Sequence, residues 1–152
     1  MALDVGDNRI GIAISDPLGY TAQPLLTLQR TTLRADLKSI SRLIRKYGVT
    51  EVVVGNPLYM SGQQSPQAAK AQAVAQALRE HLAARDEGQT YPIPPIHLWD
   101  ERLSTTQAHR HLSDLGHARG RSGRMERRNI IDQVAAVLIL QAFIDSRDLP
   151  PS

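Results

Sequence analysis

Three widely separated acids in this chain of 152 residues have the types and settings needed for chemistry. Asp4 lies within a short apolar stretch, Glu101 follows Trp99 and Asp100 at the end of another, and Asp132 lies in a helical segment. Carboxylates packed together repel one another and are driven to protonate. Divalent cations remove that conflict, and ligands that are all oxygen suit Mg²⁺ or Mn²⁺. Two such ions can activate a water and stabilise the leaving oxygen of a phosphodiester.

A more ordinary explanation pairs the same acids with nearby cations. Asp132 lies four residues after Arg128, which is ion-pair spacing on a helix. Glu101 lies next to Arg102 and before a predicted helix, whose N-terminus favours a negative charge. The spacing of the residues alone leaves a metal cluster and separate ion pairs both open.

The composition limits the classes of function. Hydrophobic residues make up 41% of the chain and charged residues 22%, which is typical of a soluble globular protein. The chain has no cysteine, which excludes disulfides and thiolate zinc sites and fits the reducing cytoplasm. No apolar run approaches the ~20 residues needed to span a membrane. The length predicts one domain over 1–148, with a frayed tail over 149–152.

Positive charge is concentrated in one segment of the chain. The net charge is +3, yet the stretch 117–128 alone has five arginines and one acid. The arginines are Arg119, Arg121, Arg124, Arg127 and Arg128. Clustered arginines are typical of phosphate contacts, and a solvated loop is the alternative.

The hydrophobic pattern predicts an α/β domain with a five-stranded mixed sheet flanked by helices. Period-two alternation over 9–15 puts isoleucines on one face and Gly11, Ala13 and Ser15 on the other, where a helix can approach closely. The predicted strands are 1–6, 9–15, 24–30, 51–55 and 96–99; the predicted helices are 33–47, 66–85, 105–115 and 125–146, with a glycine-rich loop over 116–123. Three antiparallel strands come first, and the last two, which alternate with helices, are parallel.

These elements direct the three acids toward one cleft. Glu101 follows the carboxyl end of a parallel strand, where sites form in open α/β sheets. Asp132 shares a stripe of helical spacing with Ala135, Ala136 and Ile139, so it points where the core residues point.

Four motifs in register resemble the YqgF/RuvX family. They are Asp4-Val5-Gly6 with the following strand 9–13 and Ser15-Asp16, then the segments 53–62, 99–105 and 131–136. The resemblance spans nearly the whole chain. It implies an RNase H-like fold and a metal-dependent nuclease of the bacterial cytoplasm, with Asp4, Glu101 and Asp132 as the catalytic and metal-binding acids. It further implies Mg²⁺ or Mn²⁺ as cofactor, with Asp4 bridging the ions.

The substrate that the resemblance implies is nucleic acid. The first expectation is 5′-end processing of pre-16S rRNA; the alternatives are resolution of Holliday junctions in DNA recombination and repair, and a non-catalytic RNA- or ribosome-binding module. A resolvase is expected to be a homodimer, since a junction has near two-fold symmetry. A binding module would show salt-dependent affinity without metal-stimulated cleavage.

Several side chains are expected to contact the nucleic acid. We expect Arg9 and the arginines Arg119, Arg121, Arg124, Arg127 and Arg128 to hold phosphates. We expect the loop 56–62 to lie beside the substrate, with Asn56 and Arg102 near it and Tyr59 stacking on a base.

The first strand departs from the family pattern. Relatives often have a basic residue where Asn8 stands, which weakens one phosphate contact here. They also usually carry several more apolar residues before this motif, whereas only three residues precede Asp4, so we expect a misassigned or trimmed start. A longer N-terminal version should therefore melt at a higher temperature. Equal melting temperatures of the two versions would count against this expectation.

Overall fold

The structure is a computed structural model that describes residues 1–84, 88, 91–103 and 124–147. Its strands are β1 (Ala2–Val5), β2 (Arg9–Ser15), β3 (Ala22–Gln29), β4 (Val52–Asn56) and β5 (Ile96–Asp100). Its helices are α1 (Leu33–Lys46), α2 (Pro66–Ala83) and α3 (Arg124–Arg147), with a 3-10 turn over Glu101–Leu103. The predicted helix 105–115, the loop 116–123 and the tail 149–152 lie outside the described residues.

The five strands form one mixed sheet in the order β3-β2-β1-β4-β5. β1 and β2 pair antiparallel, as do β2 and β3, whereas β1 with β4 and β4 with β5 are parallel. This confirms the α/β class and the predicted sheet, and it agrees with an RNase H-like architecture. β3 begins at Ala22, two residues before the predicted start, and Pro24 lies within this edge strand, where proline is tolerated.

Alternation along β1 gives the sheet two different faces. Leu3 and Val5 point into a core with α1 and α2, while Ala2 belongs to a second core that includes Ala136 and Ile139 of α3. Successive side chains of a strand point to opposite faces, so Asp4 shares the face of Ala2. The single acid of β1 therefore faces α3.

Both flanking helices begin where their sequence signals predict. Thr32 Oγ1 accepts a hydrogen bond from the backbone N of Ala35 at 3.2 Å and caps α1. Ser65 Oγ accepts from the backbone N of Ala68 at 3.0 Å, and Pro66 occupies the first position of α2. Both caps fix the chain entering the helices that cover the first core.

α3 is the helix that brings Asp132 to the sheet. By length and composition alone, its segment Arg127–Arg147 is apolar enough to cross a membrane. In this structure Ala136, Ile139 and Leu140 of this segment are buried against the sheet. One face of α3 therefore packs on the sheet.

Candidate active site

Asp4 lies at the centre of the candidate site. It is opposite Gly11 in the antiparallel pairing of β1 with β2, and it points toward α3. Burial and the nearby charge of Asp132 raise the pKa of Asp4 from its ordinary value to about 7. The strand therefore holds a carboxyl group that remains largely protonated below neutral pH in the absence of a cation.

Gly11 allows α3 to approach the sheet directly above Asp4. A Cβ atom built on Gly11 would lie 2.0 Å from the carbonyl oxygen of Asp132. No side chain fits there, so the backbone of α3 packs directly on the backbone of β2. This confirms the close approach predicted from the small-residue face of β2.

Polar contacts with the edge strand fix the position of α3 along the sheet. Thr27 Oγ1 donates to the backbone O of Asn129 at 2.7 Å and accepts from Gln133 Nε2 at 3.1 Å. Farther along α3, Gln141 Oε1 accepts from the backbone N of Ala22 at 2.9 Å. These bonds bracket Asp132 on both sides and limit sliding of the helix.

Glu101 enters the same region from the end of β5. A Cβ atom on Gly55 would lie 2.9 Å from Glu101 Oε1 and 2.7 Å from Ile139 Cδ1, so this glycine makes room for the carboxylate. Burial, and then the charges of Asp4 and Asp100, raise the pKa of Glu101 to about 7. The charge of Asp132 thus acts on Asp4, and that of Asp4 acts on Glu101, so the three acids are electrostatically linked.

A cation already lies beside the third acid. Arg9 Nε donates to Asp132 Oδ2 at 2.7 Å, across 123 positions of the sequence. The expected contact of Arg9 with a phosphate stays a prediction, because in this structure its guanidinium is paired with the carboxylate. Arg9 therefore offsets part of the negative charge of the site.

Two of the ordinary ion pairs considered from the sequence are wrong. Asp132 pairs with Arg9 rather than with Arg128, because β2 lies under α3 at that position. Arg102 pairs with Asp100, its Nη2 lying 2.6 Å from Asp100 Oδ2, rather than with Glu101. Glu101 turns instead toward Gly55.

The site can be tested for its fit to a divalent cation. The side chains that converge offer carboxylate oxygens only, which suits Mg²⁺ or Mn²⁺. Burial is the main cause of the raised pKa values of Asp4 and Glu101, and neighbouring carboxylates add to it. Across the described ranges, no three acidic or histidine side chains lie at metal-ligand spacing. The donor chemistry fits the ion, and binding requires the carboxylates to draw together.

The loop after β4 projects next to Glu101. Asn56 Oδ1 accepts a hydrogen bond from Gln72 Nε2 at 3.1 Å, which engages the Asn56 side chain with α2. At the tip, Tyr59 is 52% exposed and Met60 79% exposed. Arg102 Nη1 lies 3.5 Å from the backbone O of Met60 and links the loop to the segment that carries Glu101. The loop therefore lies close to the segment that carries Glu101, and its expected position beside the substrate stays a prediction.

The arginines predicted to hold phosphates are only partly described. Arg128 is exposed one turn before Asp132, and Arg127 is half-buried. Arg119 and Arg121 lie outside the described residues, as does the side chain of Arg124. The structure therefore describes two of these five side chains, both within five residues of Asp132 on α3, and their phosphate contacts stay predictions.

Sequence reasoning missed two features of the site. The Arg9–Asp132 pair depends on packing that no local pattern shows. The role of Gly55 was also missed, although a glycine at the end of the β-branched run 52–54 is a signal of close approach.

The raised pKa values predict the pH dependence of stability in the metal-free protein. Between about pH 4 and pH 7 the unfolded chain has released the Asp4 proton while the folded chain keeps it. Stability must then fall as the pH rises through this window, by roughly a few kcal/mol for this group. We expect Asp4→Asn to remove this contribution. In EDTA, its melting temperature should match wild type near pH 4 and exceed it at pH 8.

The difference between the two proteins isolates Asp4, together with its coupling to Glu101, from the remaining titrating groups. Asp16, for example, has a pKa lowered by backbone hydrogen bonds, and its contribution is common to both proteins. A melting-temperature difference that stays constant from pH 4 to pH 8 would contradict the burial of Asp4 described above.

Comparisons with known proteins were made for the whole chain. Residues 1–146 match the model of a protein family described as "RuvX: Holliday junction resolvase". A protein of Moorella thermoacetica is 45% identical over 145 residues, covering 95% of this chain and 93% of the relative. Proteins of Pelotomaculum thermopropionicum and Myxococcus xanthus are 42% and 41% identical, covering 99% of this chain and 88% and 89% of the relatives. All three carry the name "Putative pre-16S rRNA nuclease".

Proposed function

The chain belongs to the RuvX family of Holliday junction resolvases, and on that premise we propose that it is a divalent-metal-dependent nuclease that processes the 5′ end of pre-16S rRNA. The family makes it a nuclease, and the names of its relatives support the rRNA substrate. This substrate belongs to the bacterial cytoplasm, which is where the proposal locates the protein.

One observation supports the metal dependence most directly. Asp4 faces both Asp132 and Glu101, and the pKa values of Asp4 and Glu101 are both raised to about 7. Holding these acids together works against folding above neutral pH, so the arrangement needs an explanation other than stability. Mg²⁺ or Mn²⁺ bound there supplies activation of water and stabilisation of the leaving oxygen.

Each side chain has a proposed role that follows from its position. Asp4 is electrostatically coupled to both other acids, so Asp4, Glu101 and Asp132 would together hold the ion. Arg9 neutralises Asp132 in this structure, and its guanidinium would supply a donor for a substrate phosphate near the acids. The exposed Tyr59 offers a ring to a base beside the scissile bond.

The test offers the purified protein two labelled substrates in parallel, an rRNA precursor and a four-way DNA junction, with Mn²⁺ and with EDTA. Cleavage of the precursor with Mn²⁺ and none in EDTA is the expected result. Cleavage of the junction alone would favour the resolvase that the family is described as. Binding of either substrate without any cleavage would favour the non-catalytic module.

The resolvase alternative carries a further requirement. Symmetric cutting of two strands needs two active sites, so this function predicts a homodimer. Sedimentation of the protein, alone and with the junction, measures its oligomeric state. A monomer in both samples would count against the resolvase and leave the rRNA nuclease in place.

A further inference from the structure

A row of exposed cations lies on the outer face of α1. Arg34, Lys38 and Arg42 follow one another at i, i+4 spacing, and all three are exposed. Asp36, the single acid of α1, is buried and bonded to Arg30 instead. We name Arg34, Lys38 and Arg42 the α1 cationic row.

Several other cations of the described chain have a carboxylate partner, which the α1 cationic row lacks. Arg9, Arg30, Lys70, Arg102 and Arg147 each pair with a carboxylate. At the end of α1, the Arg45 guanidinium lies 5.5 Å from the Tyr91 ring centroid. Within the described ranges, the three side chains of the row make no ion pair with an acid.

The row works against the helix that carries it. Like charges at i, i+4 repel and destabilise a helix. Arg34 lies in the first turn of α1, where the helix dipole disfavours a positive charge. The buried face of α1, with Leu37, Ile40 and Ile44, already accounts for its packing. The three cations therefore have no explanation in the stability of the fold.

The row starts at the end of the sheet where the acids lie. Arg30, just before α1, donates through Nη1 to the backbone O of Gly6 at 3.0 Å, and its backbone N donates to Asn8 O at 2.9 Å. Gly6 is two residues beyond Asp4 on the same chain segment. From there α1 runs away from the site along the opposite face of the sheet from α3.

The spacing of the row suits a sugar–phosphate backbone. At ~1.5 Å of rise per residue, the three side chains span about 12 Å of helix. One strand of a duplex presents a phosphate roughly every 3.4 Å of its axis, so about four phosphates face this length. Charge complementarity thus favours a nucleic-acid backbone.

We infer that the α1 cationic row is a second nucleic-acid contact, which binds the sugar–phosphate backbone of the substrate outside the cleavage site. This inference rests on the proposed function, since it supposes that the nucleic acid engaged at Asp4 continues past the end of the sheet onto α1. The substrate is then a structured nucleic acid that is longer than the segment in contact with the three acids.

The test compares a row variant with a variant matched in net charge. The row variant is Arg34→Gln/Lys38→Gln/Arg42→Gln. The matched control is Ala69→Glu/Ala73→Glu/Ala83→Glu, which changes the net charge by the same amount at exposed alanines of α2. All six positions are exposed, so both proteins should keep their fold, which melting curves verify.

Binding of a fluorescent 30-base-pair duplex is measured in EDTA across a salt series. We expect the row variant to bind about tenfold or more weakly at 0.1 M salt, with a log–log salt slope smaller by ~2.7, the value for three lost phosphate contacts. The control should remain within about twofold of wild type, since its charges are largely screened beyond ~10 Å. Equal losses in the two variants, or no loss in either, would overturn the inference.

Two further measurements separate nucleic-acid binding by the row from lipid binding and from a direct role in cleavage. Vesicles of anionic phospholipid replace the duplex in one arm, and loss of vesicle binding with duplex binding intact would overturn the nucleic-acid assignment. In the other arm, Mn²⁺-dependent cleavage of a short substrate that spans only the acids should proceed at the wild-type rate in the row variant. If wild type itself does not cleave, the proposed function fails, while the binding comparison still decides the role of the row.

Discussion

Asp4→Asn is expected to abolish cleavage while leaving the protein folded and able to bind nucleic acid. The substitution removes the charge at the point where Glu101 and Asp132 both act. Loss of several kcal/mol of metal and transition-state stabilisation corresponds to a rate lower by roughly 10³-fold or more. Two quantities are measured. One is the single-turnover rate of cleavage with saturating Mn²⁺, and the other is the affinity for a duplex in EDTA. A fully active Asp4→Asn protein would refute the assignment of the site.

Asp36→Asn is the matched control, because it makes the same change of carboxylate to amide at another buried acid. Asp36 accepts hydrogen bonds from Arg30 Nε at 3.2 Å and from the backbone N of Thr31 at 3.1 Å, at the start of α1. Breaking this pair should lower the melting temperature and leave the rate of the folded protein unchanged. Asp4→Asn should instead raise the melting temperature at pH 8 and abolish cleavage. Together the two variants separate a catalytic acid from a structural one.

This contrast also revises an expectation that the sequence alone supports. Without a structure, Asp4→Asn would be expected to melt like wild type. The structure surrounds Asp4 with protein and with the charge of Asp132, so its ionised form is unfavourable in the metal-free state. An amide at this position carries no charge and is therefore more stable there above neutral pH.

The direction of Asp132 could be predicted because this acid lies in a regular pattern. The stripe shared with Ala135 and Ile139 set the face of Asp132, and both of those residues are buried in the structure. The small residues of β2 predicted the close approach of a helix, which the contact of Gly11 with Asp132 confirms. Local periodicity determines such features, and it can be read from a few neighbouring residues.

Side-chain partners across the sheet could not be predicted in the same way. The Arg9–Asp132 pair joins residues 123 positions apart, and it depends on the depth at which α3 lies on β2. Arg128 has the better spacing in sequence, yet the closer partner in space is Arg9. The cations of α1 were visible in the sequence, but only the fold shows that no acid among the described residues pairs with Arg34, Lys38 or Arg42.

Gly11→Ala is expected to be the most disruptive single-methyl change in the described part of the site. The new Cβ would lie 2.0 Å from the carbonyl oxygen of Asp132, well inside van der Waals contact, and both elements are backbone held in regular structure. α3 must therefore shift away from β2. Overpacking of this kind costs about 1–3 kcal/mol or more, which for this chain length lowers the melting temperature by roughly 2–12 °C.

Activity should fall further than stability in Gly11→Ala, because the shift of α3 moves Asp132 away from Asp4. We expect a rate at least about tenfold lower at a temperature where the variant is fully folded. Gly19→Ala is the control: its added Cβ meets no atom within 4 Å, and its φ of 76° gives only a local backbone strain. That variant should lose some stability and keep full activity. If Gly11→Ala instead behaves like Gly19→Ala, then the direct contact of α3 with β2 does not set the geometry of the acids.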